Sequence, residues 1–345
     1  ELAEWIAGLP EDKRETLVKH GLLADVPAVL KKPLDRHLAD FERSLQAKKN
    51  NPEYVQLVVR RVKRVFEGCR FKMWADIQGD AVEAYVASLQ QGESGISAQT
   101  FNFYLQACKQ FGRWMVQNER ADKNPMAYLK RQNVKVDRRH DRRSFEVEEA
   151  QRLLATTAKA ETRYGMSGYE RALVYRLALE TGLRANEIRS LQVASFDFQA
   201  LTVTVQAGYS KRKNEDVLPI RVDTARELKA FFADKAPEDK AFGGSYQQLT
   251  DKTADMIQAD LAEAGISYID DVGRYVDFHA LRHSTGSFLA AAGVNIKTIQ
   301  TIMRHSDINL TMGRYAHVLR GGEAQAVAKL PDLSLSKNES KKAAG

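Results

Sequence analysis

From Pro33 onward the apolar side chains recur at helical spacing. Leu34, Leu38, Phe41 and Leu45 return every three or four residues and so share one face. A second run holds Tyr54, Val58, Val62, Val65 and Phe66, and a third holds Val82, Tyr85, Val86 and Leu89. Ser97 stands where an N-cap belongs ahead of a fourth, whose wide stripe is Phe101, Tyr104, Leu105, Cys108, Phe111, Trp114 and Met115. These runs predict an all-helical domain over residues 31–131. Ahead of it, helical material around Trp5 and Leu17 is broken by Gly8, Pro10 and Gly21, so residues 1–30 read as a short helical appendage.

The pattern then changes. Residues 132–144 hold one apolar pair, Val134 and Val136, and no helical period, which reads as a charged linker. Ser144 is expected to cap a helix whose first turns carry Glu146, Glu148 and Glu149, as a helix N-terminus favours. A longer apolar helix follows through Leu173, Val174, Leu177, Ala178 and Leu179 and ends near Gly182. Between Phe196 and Ile220 the chain alternates and is β-branched (Leu201, Val203, Val205, Val217, Ile220), with residues 208–215 as the turn; this predicts a small antiparallel sheet. Helices resume over Ala225 to Ala233, Lys252 to Ala264, His279 to Ala292 and Ile296 to His305, with a short one around Tyr315. Residues 145–333 therefore read as a mixed, mainly helical domain with one β insertion, and 334–345 as a disordered tail. The fold class is mainly α with a small antiparallel β-sheet.

Length and composition narrow the possibilities. At 345 residues the chain exceeds one compact core, and 43% hydrophobic with 28% charged residues suffices to build real ones. The mean hydropathy of −0.44 and the shortness of the apolar runs exclude a membrane-spanning helix. Cys69 and Cys108 cannot form a disulfide framework, and no basic-then-apolar signal opens the chain, so a reducing, cytoplasmic setting is expected. The formal charge of +7 is modest, but its placement is not. Seven basic residues against two acids fall between Lys130 and Arg143, including Arg138, Arg139, Arg142 and Arg143, which points to a polyanionic partner. Arg60, Arg61 and Arg64 make a second basic cluster and Lys109 with Arg113 a third, either of which would equally suit a solvated helix face.

Four of the seven histidines (His279, His283, His305, His317) lie near the C-terminus together with Arg282, Arg304, Arg314 and Tyr315. His279 and Arg282 are i and i+3 on a helix and share a face. His279 and His283 have the spacing of a zinc-binding helix, but the position where a metalloprotease needs its glutamate is Ala280, and an arginine would sit inside the site. No metal is expected, and His283 reads as a buried, satisfied side chain. Arg184 follows a helix-ending glycine in Thr181-Gly-Leu-Arg-Ala-Asn-Glu-Ile188 and opens a new helix, with a surface pair to Glu187 as the plain alternative. Lys211 lies in a basic hairpin turn, Tyr209-Ser-Lys-Arg-Lys213.

In order, these boxes resemble the tyrosine recombinases, or phage-type integrases. The arginine box is met by Thr181 to Ile188, and the hairpin lysine by Lys211 before Val217-Leu-Pro-Ile220. The H-x-L-R-H box is met by His279 to His283, and the final histidine and tyrosine by His305-Ser306 and Thr311-Met-Gly-Arg-Tyr315. The agreement spans roughly residues 145–320, and 31–131 looks like the SAM-like core-binding domain that precedes the catalytic domain in this family. Where the family usually has glycine before its last histidine the chain has Arg304, expected to add charge beside a phosphate or to face solvent. The interval from His305 to Tyr315 is ten residues, a length the family tolerates.

The resemblance implies a site made of Arg184, Lys211, His279, Arg282, His305 and Tyr315, with Glu187 orienting its neighbours and His317 supporting the tyrosine helix. Exchanging phosphodiesters without metal, nucleotide or other cofactor needs a covalent intermediate that keeps the energy of the broken bond, and a phenol ester does so. Ionising a tyrosine of pKa about 10 at neutral pH costs on the order of 4 kcal/mol unless a base, here His279, takes the proton. Guanidinium forks match the non-bridging oxygens of a phosphorane. The implied partner is double-stranded DNA carrying recombination sites, held by the two domains and the basic linker. The implied assembly is a homotetramer on two sites in the nucleoid, with accessory DNA-bending proteins compatible and residues 323–330 available to pack in cis or on a neighbour. The alternatives are a type IB topoisomerase-like enzyme that nicks and reseals one duplex, and an inactive DNA-binding protein on the same scaffold.

Overall fold

The computed structural model describes residues 9–22, 32–209, 214–243, 252–315, 327–328 and 330–331. The chain divides into two compact units, Glu1–Arg139 and His140–Gly345. Among the described residues no helix is long and apolar enough to cross a membrane. The tail beyond residue 333, Lys211 and His317 lie outside the described residues.

The first unit carries helices α1 (Glu11–Lys19), α2 (Leu34–Ala47), α3 (Pro52–Gly68), α4 (Gly79–Ser88) and α5 (Ala98–Gln117). Each of the four longer runs in the sequence became a helix because its apolar stripe had a partner to bury against. Leu38 and Phe41 of α2, Val62 and Phe66 of α3, Val82 and Val86 of α4, and Leu105, Phe111 and Met115 of α5 form one core. Phe111 is its hub, meeting Phe41 edge-on at 5.5 Å and Phe66 at 5.4 Å. Caps fix the ends. Asn51 accepts from the Glu53 N–H at 2.8 Å with Pro52 as first helical residue, and Ser97 accepts from the Thr100 N–H at 3.2 Å as expected. One stripe position differs from the sequence reading: Tyr54 is exposed, and Val55 takes the core place. The tyrosine's hydroxyl reaches Gln110 at 3.2 Å instead, because a phenol keeps its polar tip hydrated more cheaply than it buries it.

The expected linker is divided between the two units. Val134–Val136 form a short 3₁₀ turn, and the Asp137 carboxylate accepts from the Ala98 N–H at 2.7 Å, so this part belongs to the first unit. From His140 the chain is sewn into the second. The Arg143 N–H donates to the Tyr275 carbonyl at 3.1 Å, the Tyr275 N–H donates to the Asp141 carbonyl at 2.8 Å, and the His140 ring stacks on Tyr275 at 4.0 Å.

The second unit is built on α7 (Gly168–Thr181), preceded by α6 (Val147–Thr157). Leu173, Val174, Tyr175, Leu177 and Ala178 are all buried, so the middle of α7 is enclosed on every side and runs through the core. Ser144 does not cap α6. The N-cap is Glu146, whose N–H donates to Glu149 at 3.0 Å, while the Ser144 hydroxyl bonds that of Ser287 at 2.7 Å. Gly182 ends α7 in the left-handed region at φ 64°, where a side chain is disfavoured. After α8 (Ala185–Ser190) come strands β1 (Phe196–Asp197), β2 (Thr202–Val205) and β3 (Asp216–Pro219), antiparallel in the order β1-β2-β3. Val203 pairs with Phe196 and with Leu218; Leu218 is the inward residue of β3, and Val217 and Pro219 are exposed. The helices α9 (Val222–Phe231), α10 (Lys252–Glu263), α11 (Phe278–Ala291), α12 (Ile296–Ile302) and α13 (Ile308–Tyr315) complete the unit. At its centre Arg171 and Asp260, both fully buried, make a bidentate pair at 2.9 Å that Tyr175 completes with a 2.6 Å bond to Asp260.

Candidate active site

Three boxes far apart in the chain meet at one end of α7. Arg282 lies on α11, which packs along α7 through the Thr285 hydroxyl on the Ala178 carbonyl. Its buried guanidinium donates to the Gly182 carbonyl in the arginine box and to the Met303 carbonyl just before His305. Any side chain at position 182 would press on Met303, since its Cβ would come within 3.1 Å of the sulfur. The glycine thus serves a close approach as well as a turn.

Arg184 is the N-cap residue of α8. Its backbone N–H donates to Glu187 at 2.8 Å and its Nη1 to the other oxygen of the same carboxylate at 2.7 Å, which holds the side chain about a quarter exposed. The surface pair weighed from the sequence is thus a half-buried one, since Glu187 is almost fully enclosed. Burial alone would raise the Glu187 carboxyl. The Arg304 guanidinium and the Arg184 N–H outweigh it and hold it below the usual carboxylate range.

Arg304 neither faces solvent nor stands open to a phosphate. It is 4% exposed, and its guanidinium donates to Glu187 at 2.7 Å and to Asp216, the first residue of β3, at 3.3 Å. A long side chain at this position folds inward because two carboxylates wait there, a cue that lay 88 and 117 residues away in the sequence.

His279 is the second residue of α11 and meets the His283 ring edge-on at 4.9 Å; His283 is buried, as read from the sequence. Burial first, then the charges of Arg142 and Arg282, push the His279 imidazole down to about 4 against the opposing pull of Asp277. The ring is neutral at pH 7 and has a lone pair to accept a proton. Asp277 escaped the sequence reading, although an aspartate just before a helix is a capping signal. It accepts from the Ala280 N–H at 3.0 Å, and its carboxylate also holds Arg142 at 2.6 Å and His140 at 3.2 Å. Beside His279 opens a cleft of about 350 Å³ lined by His140, Asn186, Arg189, Thr253 and Tyr268 among others.

His305 follows Arg304, and its Nδ1 lies 2.9 Å from the Thr311 hydroxyl on α13. Tyr315 is the last residue of α13, one turn beyond Thr311; its side chain lies outside the described residues. Among the described residues no group of three histidine, cysteine or acidic side chains is placed to hold a metal ion.

The basic residues expected to meet DNA fall into two sets. Arg60 and Arg113 are exposed. Others are engaged within their own unit: Arg61 lies over the Phe103 ring at 4.7 Å, Arg64 donates to the Tyr104 hydroxyl at 3.0 Å, and Lys109 to the Leu129 carbonyl at 2.9 Å. Arg138 is exposed, whereas Arg139 is tied to Asp137 at 2.8 Å. Arg143 is the clearest departure from an open basic linker, being nearly enclosed and bidentate to Glu149 at 2.6 and 2.8 Å.

Residues 143–321, just over half of the chain, match the Phage integrase family. The chain belongs to that family. It is a tyrosine-type site-specific recombinase. A tyrosine recombinase of Pseudothermotoga lettingae is 24% identical over 74% of this chain and 83% of its own. The XerA tyrosine recombinase of Saccharolobus solfataricus is 26% identical over 70% and 68%. The transposase of transposon Tn916 from Enterococcus faecalis is 24% identical over 67% of this chain and 61% of its own. Among solved structures, the Tn1549 transposon integrase in complex with a circular intermediate DNA superposes with a TM-score of 0.65 at 17% identity, covering 85% of this chain and 99% of that one. A lambda integrase dimer bound to a core site gives 0.64 at 14%, covering 89% and 88%. These likenesses establish the recombinase fold, mainly α with a small antiparallel sheet.

Proposed function

We propose that this recombinase cuts and rejoins double-stranded DNA at specific sites through a 3′-phosphotyrosyl intermediate, with Arg184, Lys211, His279, Arg282, His305 and Tyr315 as the reacting set. The observation that carries this reading is the clasp made by Arg282. Bonded to the carbonyls of Gly182 and Met303, it gathers the arginine box, the histidine-arginine box and the final histidine around one point.

In this reading the Tyr315 oxygen attacks the scissile phosphorus and the bond to the 5′ oxygen breaks. The phenol proton goes to His279, which is neutral and close to Arg282, and the departing 5′ oxygen takes a proton from Lys211. Arg184, Arg282 and His305 neutralise the charge that grows on the non-bridging oxygens. A bound phosphate adds negative charge beside His279 and so raises its pKa toward a useful range when substrate is present. The freed 5′-hydroxyl attacks the partner strand, and two such rounds pass through a four-way junction in a tetramer on two sites. Duplex DNA as the partner is supported by the Tn1549 and lambda integrases, both of which have been solved in complex with DNA.

The test uses site-bearing DNA nicked so that the cleaved fragment diffuses away, with chelator present. A protein–DNA adduct stable to denaturant should form with the native protein and be absent with Tyr315→Phe. An adduct with the phenylalanine protein would remove Tyr315 as nucleophile.

A further inference from the structure

Arg304 stands where the family resemblance expects glycine, in a backbone conformation that favours glycine, φ 52°. The arginine is therefore kept against a local conformational preference, and its contacts indicate what it does there. Its guanidinium joins two carboxylates. Glu187 holds both the side chain and the backbone N–H of Arg184, and Asp216 opens β3 at the root of the hairpin that carries Lys211. On either side, the Met303 carbonyl takes the Arg282 guanidinium and His305 follows directly. The Nε of Arg304 has no hydrogen-bond partner among the described residues, so the side chain is held by its two carboxylates rather than by a full shell of bonds.

We propose that Arg304 is a positioning residue for strand cleavage: through the chain Arg184–Glu187–Arg304–Asp216 it fixes the arginine of the first box and the root of the lysine hairpin relative to each other. It touches no substrate itself. The proposal rests on the recombinase reading above and adds a residue to it. A glycine could supply the turn but not the link.

Removing the guanidinium leaves Glu187 buried with Arg184 as its one remaining cationic partner among the described residues. Among the described residues Arg184 and Arg304 are the charged groups that face this carboxylate, so its affinity for a proton rises when Arg304 is lost. Protonated, it releases Arg184.

The test compares native protein, Arg304→Gly, Arg304→Lys and Asp216→Asn for adduct formation on the nicked substrate, alongside DNA affinity and thermal stability. Arg304→Gly should cleave about a hundredfold more slowly, the scale that misplacing a catalytic group costs, while DNA affinity stays within about twofold. The acid limb of its rate profile should move to higher pH, and Arg304→Lys should recover part of the rate and return the limb. Asp216→Asn should slow the native protein yet have no further effect on Arg304→Gly. Native-like cleavage by Arg304→Gly, or a slower rate with an unmoved acid limb, would overturn the proposal, as would effects of the two sites that simply multiply. If Arg304→Gly does not fold, the lysine and asparagine variants decide alone: native rates in both defeat the link. Loss of the recombinase reading would register separately, as an adduct that survives Tyr315→Phe.

Discussion

The two units bury different things. The first hides aliphatic and aromatic side chains, and its strongest charge cluster stays near the rim, where Asp40 gathers Lys32, Arg43 and Arg120 and its carboxyl is held well below the usual range. The second encloses Arg171 with Asp260 at its centre and Glu187, Arg282 and Arg304 at the end of α7. Enclosing charge brings no stability that a well-packed apolar core could not match, and it penalises any loss of a partner. A unit that accepts this cost next to its candidate site, beside one that does not, separates platform from chemistry.

The contrast between the units breaks most sharply on Arg184. Arg184→Ala should lower cleavage about a thousandfold while DNA affinity barely changes, as measured by adduct formation against filter or anisotropy binding; comparable losses in both would place the residue in binding rather than chemistry. Next in size, Arg171→Ala should destabilise the second unit by about 3–5 kcal/mol in a denaturant titration, because Asp260 is left buried and unpaired. Phe111→Ala should cost the first unit a similar amount, about 3–5 kcal/mol, by opening a cavity. The sharpening measurement is a second substitution: Arg171→Ala combined with Asp260→Asn should lose less stability than Arg171→Ala alone, because no charge is then left buried and unpaired, and an equal loss would assign the cost to packing instead.

A smaller effect concerns His279. Its pKa is about 4 when folded and near 6.5 in an unfolded chain, so the unfolded state binds more protons between those values. Stability is fully present above about 6.5 and declines as pH falls toward 4. His279→Gln should flatten the melting temperature across that window, and an unchanged slope would mean other groups dominate it. Smallest, Arg113→Gln should leave stability untouched and reduce the slope of log affinity against log salt by about 0.9, the share of one phosphate contact. An unchanged slope would remove that residue from the DNA path.

The helices and the sheet were legible in the sequence because amphipathic period and alternation report burial directly, and the boxes were legible as a series in order. What escaped was pairing across long separation. Nothing near Arg304 announces Glu187 or Asp216, and nothing near Arg143 announces Glu149 as a bidentate partner rather than an ordinary acidic first-turn residue. Tyr54 was misplaced by one position because adjacent apolar residues offer two registers and tertiary packing selects one. Asp277 was readable as a cap, but its hold on Arg142 and His140 depends on how residues 140–143 return to Tyr275.

That return has a mechanical side. The segment entering the second unit is stitched to Tyr275 by backbone bonds and ring stacking, and Tyr275 lies four residues before His279. A pull on the chain ahead of His140 is therefore borne first by this stitch and the Asp277 anchor, which makes the start of α11 a joint that carries tension rather than a free end.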